Sequence, residues 1–461
     1  MEPGIDLDGL TEAQKDALIR ELAAQLQAAL ARIAELEARL NGPGKPPKTP
    51  QNSSTPPSKA AKPALPPSKN PQRKSRPGVG RPLAENPDRV VNVHLDTCPH
   101  CAAAFAPCDQ TPQAVYDRIE LPPIKPDITR VHLFGGCCKC CGGRAIATAP
   151  AGLEPGSPFG RTVAAMVVYL HYSQAIGIER LRLLMAEIFS LSISEGALIN
   201  ILARAKPKLE ACGEIIANQV RAAKIVCSDE TSVRVCGRNW WEWVFVTSLA
   251  VLHLIRPSRG KSVPREVFGQ AWQGVWVSDA YCSQRGHAAF WQMCLAHLLR
   301  DTQYVIECGD TAFGDCDDAA LGRCFKKLLL RAIIIGRRRP NLSDAQLVLC
   351  YADLHRRLDR ILDCKPASPE ARRLHRRLMR DRKHLFVFVT DRDVPPTNNT
   401  SERHLRPSVI FRKVTNGFRA EWGCETYAAF RTVASTAKQT GKTVLQAVAD
   451  AITPQPVANP G

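Results

Sequence analysis

Two aspartates follow apolar stretches of the sequence at positions where they could share a metal ion. "KIVCSDETSVRV" reaches Asp229 after a short apolar run, and "GVWVSDAY" reaches Asp279 in the same way. Short apolar runs rich in β-branched and aromatic residues predict strands. Two carboxylates that converge at strand ends repel each other, and a divalent cation relieves that repulsion. Hard oxygen ligands on loops suit Mg²⁺ or Mn²⁺.

The elements between the two aspartates predict that they meet in space. "NWWEWVFVTSL" and "AVLHLIRPS" predict two more strands, and "SVPREVFG" predicts a short helix before the strand that reaches Asp279. Three strands, a helix and a fourth strand form the opening order of a ribonuclease-H-like α/β sheet. In that sheet the first strand lies centrally beside the fourth, so Asp229 and Asp279 become neighbours although 279 − 229 = 50 residues separate them.

A third carboxylate on a late helix would complete a two-metal site. Glu402 lies in "PTNNTSERHLRP", where Asn398 or Asn399 can cap a helix and Pro407 would end or kink it. Any single carboxylate is more often a surface charge. Two acids at strand ends and one on a late helix among Asn and Arg are a less common combination, and they predict a metal-binding triad.

A cysteine-rich segment predicts a structural zinc site. "CPHC" supplies Cys98 and Cys101, and "CCKCCGG" supplies a second Cys-x-x-Cys pair some 37 residues later. Two such pairs can close a tetrahedral zinc site. Gly142 favours Cys138 and Cys141 over Cys137 and Cys140, although Cys108 or His100 could substitute. A redox pair or unused buried thiols are the alternatives.

The first 90 residues predict a helix followed by a basic linker. In residues 11–41, apolar side chains recur at alternating spacings of three and four, which is typical of a coiled coil: Ile19, Leu22, Leu26, Ala29, Ile33, Leu36 and Leu40. A lone helix packed on its own protein would look similar. Between Pro43 and Ala84 the chain is rich in Pro, Lys and Ser, without acidic residues, so we expect disorder. This segment is either a cationic tether for DNA, contacting it through Arg73, Lys74 and Arg76, or a plain spacer.

Two further segments have helical patterns that fit DNA binding or plain packing. "IERLRLLMAEIFSLSISEGALINILARAK" predicts two helices joined by a short turn, with the outline of a helix-turn-helix. The long interval before Glu402 predicts a helical insertion. Within it, "ARRLHRRLMRDRKH" places five arginines on one stripe opposite Leu374 and Leu378: Arg372, Arg373, Arg376, Arg377 and Arg380. Such a stripe is either a solvated face or a phosphate-binding surface.

Length and composition predict two or three domains and a polyanionic partner, either nucleic acid or an anionic membrane face. The chain has 461 residues and a net charge of +18, which favours a polyanionic partner. No apolar run reaches the ~18 residues of a spanning helix, and the N-terminus lacks a signal-peptide core. We therefore expect a cytoplasmic, nucleoid-associated protein without membrane contact.

In "CLAH", Cys294 and His297 are predicted to brace the floor of the site rather than to bind zinc.

At these residues the chain resembles the insertion-sequence-66-type transposases of bacteria, which are DDE enzymes of the ribonuclease-H-like superfamily. The resemblance extends over nearly the whole chain and includes "DE" followed by "TSVRV", "SDAY", "CLAH" and "KTPQNSSTPPSK". Its most specific part is "TNNTSERHLRPSVIFRKVTNGFRAEWGCETYAAFRTVASTAKQTG". The extra cysteines and the lack of a fuller Gly-Gln-Pro-Gly-His run in the linker depart from the family pattern.

The resemblance implies a transposase with Asp229, Asp279 and Glu402 as its first, second and third acids. Two Mg²⁺ or Mn²⁺ ions held by these acids would activate water and then a 3′-hydroxyl for attack on phosphodiesters. Asn398 and Asn399 would cap or orient the glutamate. The basic residues that follow it would clamp the scissile strand: Arg403, Arg406, Arg412 and Lys413. The implied partners are transposon-end and target DNA, a second copy of the chain, and possible accessory proteins of the element.

Two other functions fit some features of the sequence. A metal-dependent nuclease on the same fold would cut DNA without joining it, and a zinc-containing regulator would bind DNA without using the acids. The predicted architecture is multidomain, with a ribonuclease-H-like core that the helical insertion divides into two segments. In chain order, the predicted regions are a coiled-coil helix (1–42), a linker (43–88), a zinc-binding domain (89–150), a helix-turn-helix-like region (151–222), the first core segment (223–302), the helical insertion (303–390), the second core segment with Glu402 (391–440) and a tail (441–461).

Overall fold

The computed structural model describes residues 11–40, 46–53, 80–311 and 317–453. The described residues form two compact units. One comprises residues 80–132 and 182–194, and the other comprises the remaining described residues. The linker contacts predicted at Arg73, Lys74 and Arg76 lie outside the described residues.

The N-terminal helix is a single long element with an exposed apolar stripe. Helix α1 spans Glu12–Leu40. Ile19, Leu26 and Ile33 are 63%, 62% and 50% exposed, so the described portion of the stripe does not pack on this chain's own core. The predicted linker includes residues 46–53, which form a turn in which Asn52 is only 2% exposed.

Short elements lead into the main sheet. A small antiparallel hairpin joins β1 (Gly135–Cys137) to β2 (Arg144–Ile146) around "CCKCCGG". Three helices follow: α2 (Arg161–Val168), α3 (Ile178–Phe189) and α4 (Glu195–Arg221). The two helices predicted on either side of "FSLSIS" are therefore α3 and α4. Helix α4 buries one apolar face that includes Leu198, Leu202 and Leu209.

A five-stranded mixed sheet forms the centre of the second unit. Its strands are β3 (Ile225–Val235), β4 (Arg238–Val246), β5 (Val251–Arg256), β6 (Trp272–Ser278) and β7 (Ala288–Met293). Helix α5 (Ser262–Phe268) connects β5 to β6. The strand order is β5-β4-β3-β6-β7, with β3 antiparallel to β4 and parallel to β6. The first strand of the sheet thus lies centrally beside the fourth, as predicted.

Helices fill the interval before Glu402. They are α6 (Leu295–Thr311), α7 (Asp317–Arg338), α8 (Asp344–Leu362), α9 (Pro369–Asp381) and the short α10 (Val387–Thr390). Helix α9 begins at the N-cap Ser368, whose side chain accepts a hydrogen bond from the Ala371 amide. Leu374 and Leu378 are buried on the side of α9 opposite its arginines.

Three more helices complete the described chain. They are α11 (Asn399–Thr415), α12 (Glu421–Gln439) and α13 (Val444–Ile452). Helix α13 lies within the predicted tail and buries Val444, Val448 and Ile452. Helix α12 covers the edge strand β5, since Thr432 and Thr436 accept hydrogen bonds from the backbone amides of His253 and Val251. These contacts satisfy donors of an edge that would otherwise invite pairing with another chain.

The sequence predicts that Pro407 ends or kinks helix α11. The helix does not end there but continues to Thr415. It ends instead at Asn416, whose backbone is left-handed, followed by Gly417 with φ +97°. The backbone then returns to β3, where Phe418 donates to the Arg234 carbonyl and accepts from the Cys236 amide, both at 2.8 Å. A Cβ atom on Gly417 would lie 2.4 Å from the Arg234 carbonyl oxygen, so only glycine fits this return.

We expect Gly417→Ala to lower the free energy of unfolding by at least about 1–3 kcal/mol, because alanine at a positive φ is strained and its methyl group meets the β3 backbone. Chemical denaturation measures the change. Gly423→Ala is the matched control: Gly423 lies inside α12 with open space around it, so alanine there should raise stability by about 0.5–1 kcal/mol. Equal effects of the two substitutions would contradict the tight return at Gly417.

Candidate active site

The pairing of β3 with β6 brings the two aspartates side by side. The parallel ladder pairs Ile225 with Val275 and ends where Cys227 meets Val277. Continuing that register by two residues places Asp229 beside Asp279, on strands that lie about 4.8 Å apart. Both acids are therefore at the point where the parallel ladder ends, as the sequence predicts.

Electrostatics at this point are unfavourable for bare carboxylates. Burial raises the pKa of Asp229 well above its usual range, and the neighbouring Glu230 and Asp279 carboxyls raise it further. The backbone amide of Glu230 donates to Asp229 Oδ1 at 2.9 Å, and that of Tyr281 donates to Asp279 Oδ1 at the same distance. These hydrogen bonds orient both carboxylates without neutralising them.

The N-terminus of α11 is fastened next to Asp229. Asn398 is fully buried at the N-cap position, but its side chain does not cap the helix. Its Nδ2 donates to the Ser228 carbonyl at 2.7 Å, its Oδ1 accepts from Ser401 Oγ at 2.8 Å, and its backbone amide donates to Cys294 Sγ at 3.1 Å. Asn398 therefore links the ends of β3 and β7 to the start of α11. The adjacent Asn399 is exposed.

A buried polar cluster fixes the middle of α11 to the sheet. Glu242 on β4 is 1% exposed, and its Oε1 accepts from Ser408 Oγ at 2.7 Å and from His253 Nδ1 at 2.9 Å. Burial lowers the pKa of His253 to about 4 despite the hydrogen bond to Glu242. The ring is therefore neutral, and its Nε2 accepts from Ser435 Oγ at 3.0 Å. Helices α11 and α12 are both tied to this cluster.

Glu402 lies in the first turn of α11, close to two basic side chains of α6. Its Oε1 is 3.7 Å from His297 Nε2 and 3.7 Å from Arg300 Nη2. Burial alone would lower the pKa of His297, but the hydrogen bond and charge of Cys294 and the Asp279 carboxylate raise it overall. His297 thus feels the charge of Asp279 and lies 3.7 Å from Glu402, and the acidic and basic side chains around it form a cluster.

Sequence reasoning missed three residues of this cluster. Glu230 is largely buried and accepts from Arg259 Nε at 3.0 Å and from Gln284 Nε2 at 2.5 Å. Arg259 stacks between two aromatic rings, 4.4 Å from the centroid of Trp241 and 3.7 Å from that of Tyr281. In the sequence, the position of Glu230 directly after Asp229 in "SDETS" is the feature that could have identified it. Nothing in the sequence marks Arg259 or Arg300.

The basic residues predicted to contact DNA divide into two groups. Six are exposed and have no ion-pair partner among the described residues: Arg403, Arg406 and Lys413 on α11, and Arg372, Arg373 and Arg376 on α9. The other three bond to carboxylates or to β3, although Arg380 is exposed as well. Arg412 donates to Thr231 Oγ1 and to the Ser232 carbonyl, Arg377 pairs with Asp301, and Arg380 pairs with Asp381 at 2.9 Å.

The two Cys-x-x-Cys segments form the same kind of turn. The Ala102 amide donates to the Cys98 carbonyl at 2.8 Å, and the Gly142 amide donates to the Cys138 carbonyl at 2.9 Å. Ala102 and Gly142 both have left-handed backbones. Backbone amides of the following residues lower the pKa of the Cys98 and Cys138 thiols. Each turn therefore directs backbone amides at its first sulfur, an arrangement that favours a thiolate there.

The donor chemistry at the acids suits a hard divalent cation. Within residues 11–40, 46–53, 80–311 and 317–453, no group of three His, Cys, Asp or Glu side chains is already arranged around a metal position. The observation that fits a cation is the proximity of Asp229, Glu230 and Asp279: burial, and then the charges of the other two carboxyls, raise the pKa of Asp229. A mixed α/β core with carboxylates at adjoining strand ends is compatible with a ribonuclease-H-like domain.

The chain belongs to the transposase IS66 family, whose family model matches residues 156–426. That match extends from the helices before the sheet to the middle of α12, and it includes all three predicted acids. It confirms the resemblance seen in the sequence. No protein with a curated description matches the chain.

None of the described helices is long and apolar enough to cross a bilayer.

We expect Asn398→Asp to lower the free energy of unfolding by about 1–3 kcal/mol, because it leaves the Ser228 carbonyl without its donor and adds a charge beside Asp229. Thermal or urea unfolding measures the loss. Asn399→Asp, one residue along and exposed, should change stability by less than about 0.5 kcal/mol. If the two variants proved equally stable, the bond from Asn398 to β3 would not fasten α11.

The paired cysteine turns lead to a prediction of metal content. Protein purified without chelator should contain one zinc per chain, because two turns offer four thiolates. Elemental analysis by plasma mass spectrometry measures it. Cys138→Ser should remove the zinc, whereas Cys137→Ser should retain it. Zinc-free wild-type protein, or the opposite result from the two variants, would contradict the assigned ligands.

Proposed function

We propose that this member of the IS66 transposase family is a DDE transposase that cleaves and joins transposon-end DNA on a ribonuclease-H-like core. Asp229, Asp279 and Glu402 are its catalytic acids. The observation that supports this most is the position of α11: Asn398 attaches the first turn of Glu402's helix to Ser228, the residue before Asp229. This bond supports a position for Glu402 near the strand end where Asp229 adjoins Asp279.

The three carboxylates would hold two Mg²⁺ or Mn²⁺ ions, which when bound supply an activated oxygen nucleophile and stabilise the leaving oxygen. Asp229 and Asp279 are oriented for this by backbone amides. His297 and Arg300 pair with Glu402 and hold its carboxylate at the cluster. Glu230 remains engaged with Arg259 and Gln284, so it acts as a support for Asp229 rather than as a fourth ligand.

DNA would lie along the exposed basic residues of α11 and α9. Arg403 and Arg406 are exposed within about one turn of Glu402, where they would contact phosphates beside the scissile bond. On α9, Arg372, Arg373 and Arg376 have no ion-pair partner among the described residues, unlike Arg377 and Arg380. Arg372, Arg373 and Arg376 would bind backbone phosphates without distinguishing one DNA sequence from another. Arg412 is assigned instead to holding α11 against β3.

We expect Glu402→Gln to abolish both cleavage and joining, because the amide keeps the size of the side chain but removes the charge that the cations need. Activity should fall by orders of magnitude while folding and DNA binding persist. Asp229→Asn and Asp279→Asn should act in the same way, and combining the substitutions should add little because the three acids work as a unit. Cleavage and strand transfer of labelled terminal-repeat DNA in Mg²⁺ or Mn²⁺ measure both steps.

Glu421→Gln and Glu425→Gln are the matched controls. Both residues are exposed on α12, and Glu425 pairs with Lys206 at 2.9 Å rather than with the site. They should retain near-normal activity. Near-normal joining by Glu402→Gln would show that Glu402 is the wrong glutamate. Wild-type protein that cuts but never joins would instead identify a nuclease, and function that survives Asp229→Asn would identify a DNA-binding regulator.

A further inference from the structure

A short turn before the basic segment is seated on the helix that carries His297. In residues 46–53, Asn52 is 2% exposed and uses its whole side-chain amide. Its Oδ1 accepts from the Thr49 amide at 2.7 Å, and its Nδ2 donates to the Pro47 carbonyl at 3.1 Å and to Glu307 Oε2 at 2.5 Å. The turn is thus closed on itself and bonded to α6.

The receiving surface on α6 is itself organised. Gln303 Nε2 donates to the other oxygen of Glu307 at 2.9 Å, and Lys326 of α7 donates to Gln303 at 2.7 Å. Lys48 lies 5.9 Å from the centre of the Tyr304 ring. Glu307 is therefore held in place before Asn52 reaches it, and a buried amide bonded to a fixed carboxylate is costly to release.

This contact brings the N-terminal helix close to the candidate site. From His297 to Glu307 is 307 − 297 = 10 residues of helix, or about 15 Å. Helix α1 ends at Leu40, and the turn begins at Pro46. Six Cα steps cannot span more than roughly 20 Å. Without the contact, 39 residues (41–79) would separate α1 from the next described residue, Gly80, and a flexible chain of that length has a root-mean-square span of about 35 Å.

The exposed stripe of α1 is complementary to a second copy of itself. In the heptad register, Ile19, Leu26 and Ile33 occupy one core position, and Leu22, Ala29 and Leu36 occupy the other. Isoleucine at the first position with leucine at the second favours two parallel strands. Parallel pairing puts both Leu40 ends together, so each copy's residue 46 lies within roughly 20 Å of the same point.

We propose that residues 46–53 form a clip that holds each catalytic core beside the end of a two-stranded α1 coiled coil, so that two active sites are kept as a pair. With the clip in place, residues 41–45 alone separate α1 from the core. Without it, the whole stretch 41–79 would do so. The pairing itself does not depend on the proposed chemistry. If that chemistry holds, the pair would present one site to each end of a transposon.

The test measures mass and dimensions of the full-length protein in the absence of DNA, so it is independent of catalysis. Light scattering should give a dimer for wild type, and Leu22→Lys/Leu26→Lys should give a monomer. Asn52→Asp should remain a dimer, because it leaves α1 intact. The new carboxylate would repel Glu307, however, and release residues 46–53 from α6. Small-angle X-ray scattering should then show a maximum dimension longer by on the order of 20–30 Å. Hydrogen exchange should show loss of protection at residues 46–53 and 303–307.

Two further variants separate the clip from general damage. Gln51→Ala, at the exposed neighbouring amide, should match wild type in every measurement. Asn52→Asp/Glu307→Gln exchanges acceptor and donor, and it should restore most of the compactness. A monomeric wild type would overturn the pairing. A dimeric Asn52→Asp variant with unchanged dimensions and protection, or the same expansion in Gln51→Ala, would overturn the clip.

Discussion

One buried hydrogen bond, from the Asn398 side chain to the Ser228 carbonyl, determines where Glu402 lies. The parallel ladder between β3 and β6 ends one residue before Ser228, and Asn398 supplies a donor at that point. Because Asn398 also bonds to Ser401 and Cys294, its position is set from three directions. These three bonds fix the N-terminus of α11, and Glu402 lies in the first turn of that helix.

The remaining length of α11 is held by polar contacts that would be costly to leave half made. Ser408 bonds to the buried Glu242, and Arg412 bonds to the β3 backbone. Removing Ser408 would take one of two donors from the buried Glu242 carboxylate, which costs stability. Apolar packing of Phe411 against Tyr427 adds affinity between helices but allows sliding. The polar contacts fix the register of α11, and the proposed site depends on that register because Glu402 is carried by this helix.

Much of the core could be predicted from sequence because its signals are local. The apolar runs before Asp229 and Asp279 each identify a strand, and element order then decides that the strands adjoin. The roles of Asn398 and Arg259 could not be predicted in the same way. Asn398 has the sequence context of a helix cap, yet its side-chain oxygen accepts from Ser401 Oγ and its side-chain nitrogen donates to the distant Ser228 carbonyl. Arg259 depends on Trp241, Tyr281 and Glu230, which come from three separate segments. The seating of Asn52 on Glu307 joins residues 255 positions apart, and no local pattern in a proline-rich segment indicates it.

The order of elements along the chain also has a consequence for synthesis. Asn398 and Ser228 are 170 residues apart, and the helical insertion lies between them. At roughly 5–20 residues per second, a ribosome needs about 10–35 s to make that interval. During this time the sheet can form with Asp229 and Asp279 already adjacent, but the third carboxylate does not yet exist. The nascent chain is thus able to fold around an incomplete centre. Under the proposed function, chains released before α11 emerges would lack the third carboxylate and could not cut DNA.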